Sequence, residues 1–114
     1  MTNQSQMRQL EVYHNETKAG LLTEHYPGFG YSFVYYPEYL ATDLPAVSLT
    51  LPKRIEPYED DHIFPFFSNI IPEGGNRRII CRSLRIDEED LFGILYAMAD
   101  QDFIGAVSVR KLKK

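Results

Sequence analysis

The hydrophobic pattern changes its period part-way along the chain, and this change restricts the possible folds more than any other feature. In the first half, "RQLEVYHN" and "AVSLTLP" alternate apolar and polar residues at period two, which predicts strands. After residue 63, apolar residues recur one helical turn apart, which predicts helices. "GAVSVRKL" then returns to period two. Strands, then helices, then one last strand predict an α+β fold.

Local signals place the individual elements. "GLLTE" reads as the return strand of a hairpin with "RQLEVYHN", "YSFVYY" as a third strand and "AVSLTLP" as a fourth, while "KRIEPYEDDH" reads as a charged loop. Pro65 suits the first turn of a short helix, Asn76 can cap a second helix, and Asp87 can cap the helix in "LFGILYAMAD". We therefore predict one domain in which an antiparallel sheet, open or barrel-like, packs against a few short helices.

The length of the chain predicts a single domain, and its net charge argues against nucleic acid as a direct partner. The chain has 114 residues, which fits a single domain. We predict a flexible N-terminus at residues 1–7, the folded domain at residues 8–110 and a solvated basic tail at residues 111–114. The net charge of −4 argues against a protein that binds nucleic acid directly.

The sequence gives no sign of export or of a membrane span. Cys81 is the single cysteine, so no internal disulfide is possible. The N-terminal residues lack an apolar stretch of signal-peptide length, and no run approaches 18 apolar residues. We predict a cytoplasmic protein without a membrane partner.

Catalytic motifs are missing from the sequence. Cys81 lies in the apolar stretch "RRIICRSL", where a cysteine is usually a small core residue. The histidines are far apart, and His62 stands in an acidic loop that solvation explains better than a metal. No glycine-rich phosphate loop is complete. We predict no catalytic residue, metal site or cofactor; a small enzyme using Cys81 or His62 is a remote alternative.

The segment "FPFFSNIIPEGGNRR" is the candidate for a partner interface. One face of its helix, with Phe67 and Ile71, is most simply core. The other side and the following turn supply the candidate interface: Ile63, Phe64, Ser68, Asn69, Glu73, Gly74 and Arg77. In the alternative interpretation, Phe64 and its neighbours close the core while Asn69 and Glu73 cap turns. The residues alone leave both interpretations open.

Several motifs in one order resemble a known family. They are Gly20-Leu21-Leu22, "FVYYPEYL", "VSLTLP", "FFSNIIPEG" and "DFIGAVS". Their order and spacing, from about Arg8 to Val109, resemble the N-terminal subdomain of HipA-type serine/threonine kinases. These kinases are the toxins of bacterial toxin–antitoxin modules.

The resemblance implies a function without kinase chemistry. In full-length HipA-type kinases this domain precedes a long catalytic region, whereas this chain ends a few residues after "GAVSV". A free-standing copy is similar to the HipS antitoxin of HipB–HipS–HipT modules. The implied role is a non-catalytic regulatory subunit that binds and inhibits a HipT/HipA-like kinase core, with a HipB-like DNA-binding protein as a candidate third component. The alternative is a separate half of a split kinase, needed for its folding, activity or substrate choice.

Overall fold

The computed structural model describes residues 7–26, 28–71, 74–99 and 107–112. The elements in this part of the chain are, in order, β1 (Arg8–His14), β2 (Thr17–Tyr26), β3 (Phe29–Tyr35), α1 (Pro37–Leu40), β4 (Tyr58–Asp60), α2 (Pro65–Asn69), α3 (Gly75–Leu84), α4 (Leu91–Met98) and β5 (Val107–Lys111). The described strands form one antiparallel sheet in the order β4-β3-β2-β1-β5. The predicted α+β fold is confirmed, and the described sheet is open, with β4 and β5 at its edges.

Turn residues allow the first three strands to form a meander. Asn15, between β1 and β2, has a φ of 55°, a left-handed conformation that asparagine tolerates better than most residues. Gly28, between β2 and β3, and Gly30, the second residue of β3, also have positive φ angles. Inside β2, a Cβ atom on Gly20 would lie 2.4 Å from the carbonyl oxygen of Val34. Glycine therefore permits the close approach of β2 and β3 at this point.

The core lies between one face of the sheet and the helices. Ring contacts join three helices to β3: Tyr39 of α1 stacks on Tyr35 with centroids 5.9 Å apart, Phe67 of α2 lies 5.6 Å from Phe33, and Phe92 of α4 lies 6.4 Å from Tyr31. The sheet adds buried aliphatic residues to the same cluster: Leu10, Val12, Leu22 and Val109. These three helices therefore pack on the aromatic side chains of β3.

One predicted strand is wrong. "AVSLTLP" forms only an isolated bridge between Ser48 and Leu51, and the fourth strand is β4, inside the predicted charged loop. The physical reason is the buried hydroxyl of Tyr35, which donates to the carbonyl of Leu51 and accepts from the amide of Val47 at 3.0 Å. Because a side chain satisfies these backbone groups, the segment needs no neighbouring strand.

Two predicted helix caps are also wrong. Gly74, with a φ of 63°, precedes α3, so Asn76 lies inside that helix. Asp90, three residues after the predicted cap Asp87, is the N-cap of α4, and its carboxylate accepts from the amide of Gly93 at 3.0 Å. Asp87 instead accepts from the amide of Glu89 at 2.9 Å, within the turn that leads to α4.

The predicted flexible N-terminus and basic tail lie only partly within the described residues. Residues 1–6 of the predicted flexible N-terminus and Lys113 and Lys114 of the predicted tail lie outside the described residues. Lys111, which was placed in the tail, is the last residue of β5 and pairs with Leu10. Within the described ranges, no helix combines the length and the apolar character needed to cross a bilayer.

Candidate functional site: a groove beside the second hairpin

A buried ionic network, the Arg8 network, ties the start of α4 to the sheet. The carboxylate of Glu24 is fully buried and accepts from Arg8 Nε at 2.7 Å, from the hydroxyl of Tyr31 at 2.9 Å and from the amide of Gly28 at 3.1 Å. Arg8 also donates to both carboxylate oxygens of Asp90, at 2.9 and 3.3 Å. One guanidinium therefore links strand β2 to the cap of α4.

The contacts within this network shift the pKa values of Asp90 and Tyr31. Burial by itself would raise the pKa of Asp90, but hydrogen bonds from Arg8 and from the amide of Gly93 outweigh it, and the pKa lies below its usual range. Burial, together with the hydrogen bond to Glu24, raises the pKa of Tyr31. Tyr31 therefore stays protonated and donates its hydrogen bond to Glu24. Asp90 stays ionised and pairs with Arg8.

The network borders a surface groove of about 340 Å³, which we call the docking groove. Its walls come from three segments and are lined by Gly28, Tyr31, His62, Ile63, Pro65, Ser68, Glu89, Asp90 and Leu91. Three of these residues, Gly28, Tyr31 and Asp90, belong to the Arg8 network. The shape of the groove therefore depends on buried ionic contacts as well as on apolar packing.

Two exposed aromatic residues, Tyr26 and Phe29, lie on either side of the turn that contains Gly28, a residue that lines the groove. Tyr26 is 60% exposed and Phe29 is 53% exposed, and their ring centroids lie 6.5 Å apart. We call this pair the hairpin tip, because the two residues end β2 and begin β3. Apolar aromatic surface left in water beside a concave site is typical of a protein-binding surface.

The structure separates the predicted interface residues. Ile63 and Ser68 line the docking groove, and both are half-buried. Phe64 is only 8% exposed and belongs to the core, so the alternative interpretation describes Phe64 correctly. Asn69 and Gly74 are exposed but do not line the groove.

The remaining two residues of that prediction give no support to a common surface. Arg77 is half-buried in α3 and is not among the residues that line the groove. Glu73 lies outside the described residues. An interface role for this set therefore stays a prediction, and only Ile63 and Ser68 are brought together by the groove.

Sequence reasoning missed the hairpin tip and the contribution of α4. "YPGFG" was interpreted only as a punctuated loop, although Tyr26 and Phe29 flank its turn and a turn exposes its flanking residues. The sequence pattern predicts Glu89 only in the first turn of the late helix and Leu91 only in its buried stripe. No signal in the sequence places that turn beside Ile63, because the contact is made by folding.

Cys81 and His62, the two residues considered for catalysis, lie in different surroundings in the structure. Cys81 is buried in α3, and burial raises the pKa of its thiol, which disfavours a reactive thiolate. His62 is exposed, with Nδ1 3.9 Å from a carboxylate oxygen of Asp60. Among the described residues, no group of three or more histidine, cysteine, aspartate or glutamate side chains is arranged to hold a metal ion.

Comparison with known proteins assigns this fold. The family described as HipA N-terminal domain matches residues 10–110. The chain belongs to the HipA N-terminal domain family. The resemblance read from the sequence motifs is thereby confirmed, and the family domain is not the catalytic part of the kinase.

Two individual proteins illustrate the likeness. A solved structure described as the N-terminal domain of HipA toxin superposes with a TM-score of 0.69, at 29% identity over 94% of this chain and 94% of that chain. A protein of Haemophilus influenzae, described only as uncharacterized, is 35% identical over 95 residues, which are 83% of this chain and 84% of that protein. The likeness to a HipA toxin domain indicates a role related to toxin–antitoxin systems.

Proposed function

We propose that this protein is a non-catalytic antitoxin subunit that binds a HipT/HipA-like serine/threonine kinase core and inhibits it. The observation that supports this proposal best is the juxtaposition of the docking groove and the hairpin tip on a HipA N-terminal domain. In this proposal a HipB-like DNA-binding protein is a candidate third component of the complex.

The surface has the composition that protein binding requires. Binding hot spots combine apolar or aromatic anchors with a polar rim that excludes water. The hairpin tip supplies two aromatic anchors, and Ile63 and Leu91 supply apolar walls to the groove. Glu89 and Ser68 supply polar groups along the same groove.

Inhibition by docking needs no chemistry from this chain. A domain bound across the kinase core can hold it in one conformation or obstruct its nucleotide cleft, because only differential affinity for one state is required. The Arg8 network favours such a role, since it fixes the groove before binding and lowers the ordering cost at the interface.

The test begins with co-purification of the tagged protein from its native host. A HipA-type kinase should be recovered, and its autophosphorylation should fall as the purified protein is added. A rise in kinase activity would favour the alternative of a split kinase. Absence of a kinase from the purified complex would overturn both.

Surface variants then locate the interface. Phe29→Ser removes an exposed ring and should leave the melting temperature unchanged, while weakening kinase binding about 30-fold, the effect of losing about 2 kcal/mol at a hot spot. Leu49→Ser is the matched control, because Leu49 is exposed but belongs to neither the groove nor the tip. Equal affinity of the two variants would exclude the hairpin tip from the interface.

A further inference from the structure

A second buried glutamate, Glu11, lies on the face of the sheet that is turned away from the core. Its neighbours in β1, Leu10 and Val12, belong to the core cluster, and successive side chains of a strand point to opposite faces. The side chain of Glu11 is nevertheless only 9% exposed. A carboxylate that is taken out of water needs hydrogen bonds and a cationic partner, so its contacts show how well it is paired.

Glu24 shows how a buried glutamate of this chain is fully paired. Its carboxylate accepts from the hydroxyl of Tyr31 at 2.9 Å and from the guanidinium of Arg8 at 2.7 Å. Glu11 has a counterpart of the first partner, because the hydroxyl of Tyr36 donates to its Oε2 at 2.9 Å. Among the described residues it has no counterpart of the second. A hydrogen-bonded arginine is therefore what Glu24 has and Glu11 lacks.

Two cationic side chains lie near Glu11 without completing its pairing. Lys18 Nζ is 3.6 Å from Oε2, which is longer than a charge-assisted hydrogen bond, and the lysine side chain is 60% exposed. Arg110 is in register with Glu11 across β1 and β5, but it pairs with Glu16 at 3.2 Å and lies over the ring of Tyr13. Within the described part of the chain, the Glu11 carboxylate therefore keeps free acceptor positions, since a carboxylate can accept about four hydrogen bonds.

A cavity of about 390 Å³ opens beside this carboxylate, and we call it the Glu11 pocket. It is lined by Glu11, Lys18, Tyr36 and Glu38. Two glutamates and one lysine give this lining a formal charge of −1. An excess of negative charge around a buried carboxylate attracts a cation and repels an anion.

We propose that the Glu11 pocket binds an arginine side chain of another protein. A guanidinium is planar and can pair with a carboxylate through two parallel hydrogen bonds, which a lysine ammonium cannot do. An arginine in the pocket completes the pairing of Glu11 in the way that Arg8 completes that of Glu24. The charge of Glu38 at the same pocket offsets the charge that the arginine brings.

The surface beside the pocket favours an arginine that belongs to a polypeptide. Leu21 is in register with Glu11 across β1 and β2, and Val34 is in register with Leu21 across β2 and β3, so the three side chains share one face of the sheet. Leu21 and Val34 are half-buried, and they offer apolar contact to the residues that flank the arginine. The Glu11 pocket shares no residue with the docking groove, so this inference does not rest on the proposed function.

Short peptides test the chemistry of the pocket. When acetyl-Leu-Arg-Leu-amide is added to the isotope-labelled protein, we expect the amide resonances of Glu11, Lys18 and Glu38 to shift, with a millimolar dissociation constant. Acetyl-Leu-Lys-Leu-amide should bind about fivefold more weakly, because an ammonium cannot form the parallel pair of hydrogen bonds. Free L-arginine, which lacks apolar flanks, should also bind more weakly than the arginine peptide. Tighter binding of free L-arginine would make this an amino-acid site and overturn the proposal.

Variants then separate a binding pocket from a structural ion pair. Lys18→Ala should strengthen binding of the arginine peptide about fivefold, because it removes a like charge a few ångströms from the guanidinium. Glu38→Gln, at an exposed residue, should weaken it without changing the melting temperature. Glu11→Gln should remove the preference for arginine over lysine, and the first two variants decide the matter if this one does not fold. Glu16→Gln is the matched control, since Glu16 does not line the pocket, and it should change nothing.

The outcomes that contradict the proposal are specific. Equal binding of the arginine and lysine peptides would show that the pocket does not recognise a guanidinium. Weaker binding in Lys18→Ala would show that Lys18 is not the competitor of the arginine. A peptide that shifts no resonance of the pocket would leave Lys18 as the structural partner of Glu11 and overturn the proposal outright.

Discussion

Replacing Glu24 by alanine removes the acceptor at the centre of the Arg8 network. The carboxylate is fully buried and accepts from Arg8, Tyr31 and the amide of Gly28. Removing one member of a buried ion pair costs about 3–5 kcal/mol, because the other polar groups lose their partner. Arg8 keeps Asp90 and is partly exposed, so we expect the lower end, about 3 kcal/mol.

The chain contains a matched control for this substitution. Glu16 also pairs with an arginine, Arg110, at 3.2 Å, but its side chain is almost fully exposed. Glu16→Ala should therefore cost less than about 0.5 kcal/mol. Urea unfolding followed by circular dichroism measures both losses, and in a thermal melt the loss at Glu24 should lower the melting temperature by about 12 °C. Equal stability of the two variants would refute the argument that burial makes this network important.

The remaining predictions concern the buried core and the loss of folding stability at acid pH. Phe67→Ala should lower the free energy of unfolding by about 3–5 kcal/mol in urea titrations, because the ring is fully buried against Phe33; Phe66→Ala, at a half-buried ring, should cost less. The lowered pKa of Asp90 contributes stability that is present above its unfolded-state pKa of about 3.9 and is lost as pH falls through the folded-state value. Urea midpoints between pH 2 and 7 should therefore fall less steeply on the acid side in Asp90→Asn than in the wild type, and equal slopes would contradict the assignment.

Periodicity predicted the elements whose residues bury one face. The alternation around Leu10 and Val12 predicted β1, because the pattern results directly from burial of one face. The helical spacing of Phe67 and Ile71 predicted α2, although the helix ends at Asn69 and Ile71 is buried just beyond it. "AVSLTLP" has the same alternation without becoming a strand. Two of its backbone groups, the amide of Val47 and the carbonyl of Leu51, are satisfied by the side chain of Tyr35, a contact that a local pattern does not contain.

The candidate site was less predictable than the fold for the same reason. Arg8 and Asp90 are 82 positions apart in sequence, and neither has a local signal that names the other. Asp87 and Asp90 are both suitable caps, and the contact of Asp90 with Arg8, which favours the second, is not visible in the local sequence. Phe64 and Ile79 are both apolar, yet Phe64 is buried against Phe67 in the core, whereas Ile79 is exposed on α3, and the local sequence does not distinguish the two.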